Sequence, residues 1–220
     1  MSAVPTFFGS TVGKKVVMAL SGAILFGFVL GHMAGNLQLY LGAHALNDYS
    51  EFLHEVLHGA GLWIARGILL LAAALHVWAA TALTLENRAA RPVAYRRWQA
   101  RTSTLGSRSM RLSGVVLFAF IVFHLLHLTI GAVHPSFEAG DVYHNVVAGF
   151  SVVPVSLFYM GAMLLLGSHL QHGVWSMLRT LGLGHPRYER LAHRAATVFA
   201  TVVVAGNVSF PLAVLLGVVR

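Results

Sequence analysis

The sequence predicts an all-α integral membrane protein in which five helices cross the bilayer and the first four form a bundle. Composition is the first observation: 57% of the residues are hydrophobic and 10% are charged, whereas a soluble domain carries about a quarter charged residues. The second is the length of the apolar runs, which reach the roughly 20 residues needed to span a bilayer. The mean hydropathy of +0.72 agrees. We expect one transmembrane domain over residues 1–220.

Five apolar segments are long enough to be spans. The first contains no Lys, Arg, Asp or Glu between Lys15 and Asp48. It exceeds the 7–15 apolar residues of a signal peptide, so we expect it to be retained. The predicted spans are residues 16–40, 62–85, 112–133, 152–178 and 195–219.

The basic residues predict the orientation of the spans, because short cytoplasmic connections are enriched in Lys and Arg. The first and third connections have neither residue and carry Asp48, Glu51, Glu55, Glu138 and Asp141. The N-terminus and the other two connections carry Lys14, Lys15, Arg88, Arg91, Arg96, Arg97, Arg101, Arg108, Arg111, Arg179, Arg187, Arg190 and Arg194. We therefore expect a cytoplasmic N-terminus and an outer C-terminus. This topology accounts for the net charge of +8 without a nucleic-acid partner.

Histidines within the spans are the main functional signal, because polar side chains in hydrocarbon are costly and usually functional. Each of the first four spans carries at least one, and the six are His32, His76, His124, His127, His169 and His172. From their depth, His32 and His124 share an outer level and His76 and His169 share an inner one. The two levels differ by roughly 10 Å at 1.5 Å per residue.

Paired neutral imidazoles without nearby carboxylates or thiolates suit haem iron. The chain has no cysteine, which excludes Cys-ligated iron–sulfur clusters, covalent CxxCH haem attachment and thiol catalysis. Gly27, Gly31 and Gly35 recur every four residues beside His32. This stripe fits either a flat macrocycle or ordinary packing of small residues between helices.

Several motifs resemble the diheme cytochrome b membrane anchor of succinate dehydrogenase and fumarate reductase, in its single-subunit five-helix form from bacteria that use menaquinone. These motifs are GHMAGN, LHVWAA, VFHLLHL and SHLQHGVWS, extended by NRAARPVAYRRW, GDVYHNVVAGF and TLGLGHPRYERL. The resemblance implies two b haems: His32 and His124 bind the distal haem iron, and His76 and His169 bind the proximal one. His127 and His172 are then not ligands.

The resemblance also implies partners and a location. An iron–sulfur subunit and a flavoprotein subunit would perform the succinate or fumarate chemistry, for which this chain has no catalytic residues. This anchor would pass electrons to or from quinone, which the resemblance implies is menaquinone, in the lipid of the bacterial cytoplasmic membrane. Some relatives use a glutamate in the outer first connection for quinone, where this sequence offers Glu51, His54 and Glu55. Arg66 would neutralise a haem propionate or extend to the membrane surface.

Two alternatives remain open from the residues alone. One is a cytochrome b subunit of a hydrogenase or formate dehydrogenase, which also uses histidines inside the membrane. The other is a transporter without redox activity, for haem or a soft divalent metal, with the histidines as translocation ligands.

Overall fold

The computed structural model describes residues 6–90 and 105–220, and it describes the side chains there except those of residues 105–108. Part of the arginine-rich second connection predicted to be cytoplasmic falls outside these limits. The side chains concerned are those of Arg91, Arg96, Arg97, Arg101 and Arg108.

Seven α-helices make up most of the described chain. They are α1 (Thr11–Asn36), α2 (Ala43–Glu55), α3 (Ala60–Ala89), α4 (Leu105–His124), α5 (Val142–Ser151), α6 (Val153–Thr180) and α7 (Glu189–Leu215). Within the described residues, five segments are long and apolar enough to cross a membrane, and they comprise α1, α3, most of α4, α6 and α7. The prediction of an all-α protein with five spans is confirmed.

The ends of the spans differ from the sequence prediction in ways that local chemistry explains. Helix α1 begins earlier than expected because the side chain of Ser10 caps it, accepting a hydrogen bond from the Gly13 amide. At its other end α1 continues as a 3-10 helix, Leu37–Leu41. Helix α4 continues as a π-helix, Leu125–Thr129, and the span ends there rather than at residue 133. Gly131 follows with a φ of 80°, which favours glycine.

The first four spans form the predicted bundle, and the fifth packs beside it. Helix α1 packs against α3 and α6, α4 packs against α6, and α7 lies along α6 and also touches α1. Many large apolar side chains point away from the bundle, as expected for contact with lipid: Leu70, Leu71, Ile121 and Val198 are examples. The chain is a multi-pass membrane protein.

Helices α2 and α5 were not predicted, and together they cover the end of the bundle formed by the first and third connections. Asn47 of α2 donates a hydrogen bond to the Asp141 carboxylate at 3.0 Å and accepts one from the Tyr143 amide at 3.0 Å. Asp141 also caps α5 by accepting from the His144 amide at 2.8 Å. The His144 amide, followed by Asn47, lowers the pKa of Asp141. These bonds hold the two short helices together.

Candidate functional site: two facing histidine pairs

The structure brings the four predicted ligands together in the predicted pairs. The ring centroids of His32 and His124 are 5.9 Å apart, and those of His76 and His169 are 6.4 Å apart. With a metal–nitrogen distance of about 2 Å and the ring centre about 1.1 Å behind the nitrogen, two imidazoles on opposite sides of one metal ion have centroids about 6 Å apart. Both pairs therefore have the spacing of two axial ligands of one iron.

Helices α1 and α4 give the same distance, along the helix axis, between the inner and the outer histidine pair. A Cβ on Gly22 of α1 would lie 3.2 Å from His76, and a Cβ on Gly114 of α4 would lie 3.9 Å from His169. His32 follows Gly22 by ten residues, and His124 follows Gly114 by ten. Ten residues of helix rise about 15 Å. By this measure the levels are farther apart than the roughly 10 Å expected from sequence.

The hydrogen bonds of His76 define which of its nitrogens is free. Its Nδ1 lies 3.2 Å from the Met18 carbonyl oxygen, and a carbonyl can only accept. Nδ1 therefore carries the proton and donates to that oxygen, so Nε2 keeps its lone pair. The Ser21 hydroxyl donates to the Val17 carbonyl at 2.7 Å, which leaves its oxygen able to accept from Nδ1 of His76 at 3.3 Å.

Its partner, His169, is held in the same tautomer by a serine on another helix. The Ser113 hydroxyl donates to the Met110 carbonyl at 3.2 Å and lies 3.1 Å from Nδ1 of His169. With its only proton donated to Met110, the hydroxyl oxygen can accept from Nδ1–H of His169. Ser113 is 1% exposed, which protects this bond from water. The inner pair thus presents two Nε2 lone pairs, as metal ligands with a hydrogen-bonded second nitrogen do.

The outer pair also has its Nδ1 atoms occupied by polar side chains. The Asn36 amide nitrogen lies 3.3 Å from Nδ1 of His32, one helical turn along α1. A half rotation of that amide presents its oxygen instead, which accepts from a protonated Nδ1. The Tyr159 hydroxyl of α6 lies 3.4 Å from Nδ1 of His124.

The predicted glycine stripe divides into two parts. A Cβ on Gly27 or Gly31 would meet nothing within 4 Å, so this face of α1 beside His32 is open enough for a flat ring. Gly35 differs: its missing Cβ would lie 2.7 Å from the Tyr49 ring, so Gly35 accommodates α2. The sequence pattern could not separate these roles because α2 was not foreseen.

The remaining predicted residues lie outside the two pairs. Glu51, His54 and Glu55 lie on one exposed face of α2, where Nδ1 of His54 donates to the Ser50 carbonyl at 2.7 Å. Arg66, near the start of α3, lies over the Trp63 ring at 4.9 Å. His172 lies near Trp175, with ring centroids 5.8 Å apart.

The donor sets fit haem better than a bare metal ion. Each pair supplies two imidazoles, and in the described ranges no cluster of three or more His, Cys, Asp or Glu side chains could hold a metal. Bare metal ions usually need three or four protein ligands. A haem iron needs only the axial ones, since the macrocycle supplies the others.

Sequence reasoning missed the residues that hydrogen-bond to the predicted ligands. Ser21, Ser113 and Tyr159 were not singled out, although each is a hydroxyl within a predicted span and all are buried. Their signal is depth: Ser21 and Ser113 stand at corresponding distances before His32 and His124. The tertiary contacts that give these hydroxyls their role cannot be read from a single sequence.

The fold and the histidine pairs define a class: a multi-pass helical membrane protein with two sets of facing imidazoles inside its bundle. A family model described as succinate dehydrogenase/fumarate reductase transmembrane subunit matches residues 84–208. This is more than half of the chain, and the protein belongs to that family. The match includes His124 and His169 and begins after the other two predicted ligands, His32 and His76. Searches of curated proteins and of solved structures found no significant match.

Proposed function

We propose that this chain is a diheme b-type membrane anchor of a succinate dehydrogenase or fumarate reductase complex and carries electrons between an iron–sulfur subunit and quinone. The observation that carries the proposal is the pairing of four histidines from four spans at centroid distances of 5.9 and 6.4 Å. Family membership supports a role in a succinate dehydrogenase or fumarate reductase complex. Haem binding by the two pairs would explain why histidines lie within the spans.

The chain's own residues would hold and orient two haems. His32 and His124 are assigned to the outer site, and His76 and His169 to the inner one. A bound b haem supplies a one-electron carrier whose potential depends on its axial ligands and their hydrogen bonds. Met18, Ser21 and Ser113 fix the tautomers of the inner pair. The open face at Gly27 and Gly31 leaves room for a macrocycle beside His32.

We also propose that the N-terminus is cytoplasmic and that the membrane is a bacterial cytoplasmic membrane. Lys14 of α1 pairs with Glu86 of α3, which places the start of α1 beside the end of α3. The described arginines of the even-numbered connections lie at helix ends on this same side: Arg88, Arg111, Arg179, Arg187, Arg190 and Arg194. The positive-inside rule then makes it the cytoplasmic side, where the iron–sulfur and flavoprotein subunits would dock.

Quinone, which we take to be menaquinone, is assigned to the opposite side near the outer pair. Glu51, His54 and Glu55 lie on one exposed face of α2 there. Carboxylate and imidazole groups can exchange protons with a quinone at the membrane surface. Helix α2 packs against α3 and, through α5, against the bundle.

Purification of the complex from detergent tests the proposal. We expect three kinds of subunit by mass, two low-spin b haems per anchor chain by reduced-minus-oxidised spectroscopy, and succinate-dependent quinone reduction. Haem without a flavoprotein partner would favour another cytochrome b class. A pure protein without haem would contradict the proposal.

A further inference from the structure

His127 places a polar side chain in a buried position where an apolar one would pack, and it is not one of the proposed iron ligands. Its side chain is 0% exposed, and its Nε2 has no hydrogen-bond partner. A buried polar atom without a hydrogen-bond partner is unfavourable, so an apolar side chain would fill this space more favourably. Its one side-chain hydrogen bond joins Nδ1 to the Tyr159 hydroxyl at 3.0 Å.

The Tyr159 hydroxyl stands between two histidines. It lies 3.0 Å from Nδ1 of His127 and 3.4 Å from Nδ1 of His124. The π-helix that follows His124 contains His127. Both rings reach this one oxygen, although three residues of a regular α-helix turn by about 300°. A hydroxyl has one proton, so it donates to one histidine while it accepts from the other.

The hydrogen bonds from His124 through Tyr159 to His127 can run in two directions. Only one of them leaves His124 able to bind iron through Nε2. If Tyr159 donates to His127, its oxygen accepts from Nδ1–H of His124, and the Nε2 lone pair of His124 stays free. If Tyr159 donates to His124, Nε2 carries the proton instead and has no lone pair for a metal. The shorter of the two contacts is the one to His127.

We propose that Tyr159 and His127 are positioning residues that hold His124 in its metal-binding tautomer and lower the reduction potential of the outer haem. This inference rests on the proposed function and deepens it. A hydroxyl that donates becomes a better acceptor, and a ligand whose second nitrogen donates strongly is a more basic ligand. A more basic ligand favours ferric iron.

The surroundings keep both side chains in place. The Tyr159 ring contacts Phe120 and Phe150 edge-on, each at a centroid distance of 5.0 Å. The His127 ring stacks on Phe123 at 5.4 Å. A Cβ on Gly149 would lie 2.7 Å from His127, so the close approach of α5 requires this glycine. The geometry is therefore fixed by packing and does not depend on the hydroxyl alone.

The test compares Tyr159→Phe, His127→Leu, His127→Asn and their double combination Tyr159→Phe/His127→Leu in the purified complex. The readouts are haem content, a redox titration that resolves both haems, and the low-spin ferric resonance spectrum. We expect Tyr159→Phe and His127→Leu to retain both haems and raise the potential of the same single haem. The double variant should shift it no further than the larger single shift, because both changes break one chain. His127→Asn keeps an acceptor near the position of Nδ1 and should restore much of the wild-type potential.

Tyr143→Phe is the matched control, since it removes a hydroxyl that donates to the Arg220 carbonyl at the outer surface. It should leave both potentials unchanged. Wild-type potentials and spectra in both Tyr159→Phe and His127→Leu would overturn the inference, as would equal shifts of both haems. If neither variant accumulated while Tyr143→Phe did, the inference would also be overturned, because these hydrogen bonds would then serve folding. Absence of haem from the wild-type complex is a different result, which removes the proposed function itself.

Discussion

The substitution Gly31→Leu distinguishes two roles for this face of α1: binding of the outer haem and simple contact with lipid. Gly31 lies next to His32 in α1, and a Cβ there would meet nothing within 4 Å. Polypeptide contacts therefore place no obstacle to a larger side chain. Under the proposed function the same space lies beside the outer haem, and a branched side chain would exclude the macrocycle.

The two accounts predict opposite effects. Leucine is preferred over glycine in a helix interior by roughly 0.8 kcal/mol, about a fourfold gain in helix equilibrium, so a lipid-facing Gly31→Leu should be neutral or stabilising. A haem-facing Gly31→Leu should instead lose the outer haem while the inner haem stays. Haem per chain would then fall by about half, a change far outside what helix propensity can produce.

The assay is haem content and thermal unfolding of the purified complex, with Gly67→Leu as control. Gly67 also has no neighbour within 4 Å of its Cβ position. It precedes His76 by nine residues, so it lies about 180° from it around α3. We expect Gly67→Leu to keep both haems. Full haem content in Gly31→Leu would refute the assignment of this face.

Three further perturbations test other parts of the account. Ser113→Ala removes the acceptor for Nδ1 of His169 and should weaken binding of the inner haem about 10–100-fold. Haem loss on dilution measures this affinity, and unchanged binding of the inner haem would count against the tautomer argument. Asp141→Ala removes the α5 cap and should cost about 1 kcal/mol of unfolding free energy. Because the pKa of Asp141 is lowered in the folded protein, its charge contributes fully above about pH 4 and less as the pH falls through the folded-state value, so the difference between variant and wild type should shrink there. The proposed quinone site is tested by three single variants, Glu51→Gln, His54→Ala and Glu55→Gln. Loss of a proton-handling group should abolish quinone reduction while both haems are retained, and unchanged turnover in all three variants would place the site elsewhere.

The spans were predictable because their signal is local. Runs of apolar residues need no tertiary information, and they predicted the number of crossings. The ends were less accurate, since the Ser10 cap and the π-helix after His124 depend on details of backbone geometry. Helices α2 and α5 were missed because, at 13 and 10 residues, they are too short to give the hydropathy signal of a span.

The histidine pairs were predictable from depth, since opposite helix directions sort the four residues into two levels. The groups that orient them were not. Tyr159 acquires its role only where α6 meets α4, and Ser21 only where α1 meets α3. Gly35 shows the converse case, because a regular small-residue pattern concealed a separate contact with Tyr49.

Haem content and redox-resolved spectra of single alanine variants test the central assignment most directly. His32→Ala and His124→Ala should each lose the same haem, and His76→Ala and His169→Ala should each lose the other. The neighbouring His127→Ala and His172→Ala should retain both. The pairing would be contradicted if His32→Ala and His76→Ala lost the same haem, or if His127→Ala lost a haem that His124→Ala kept.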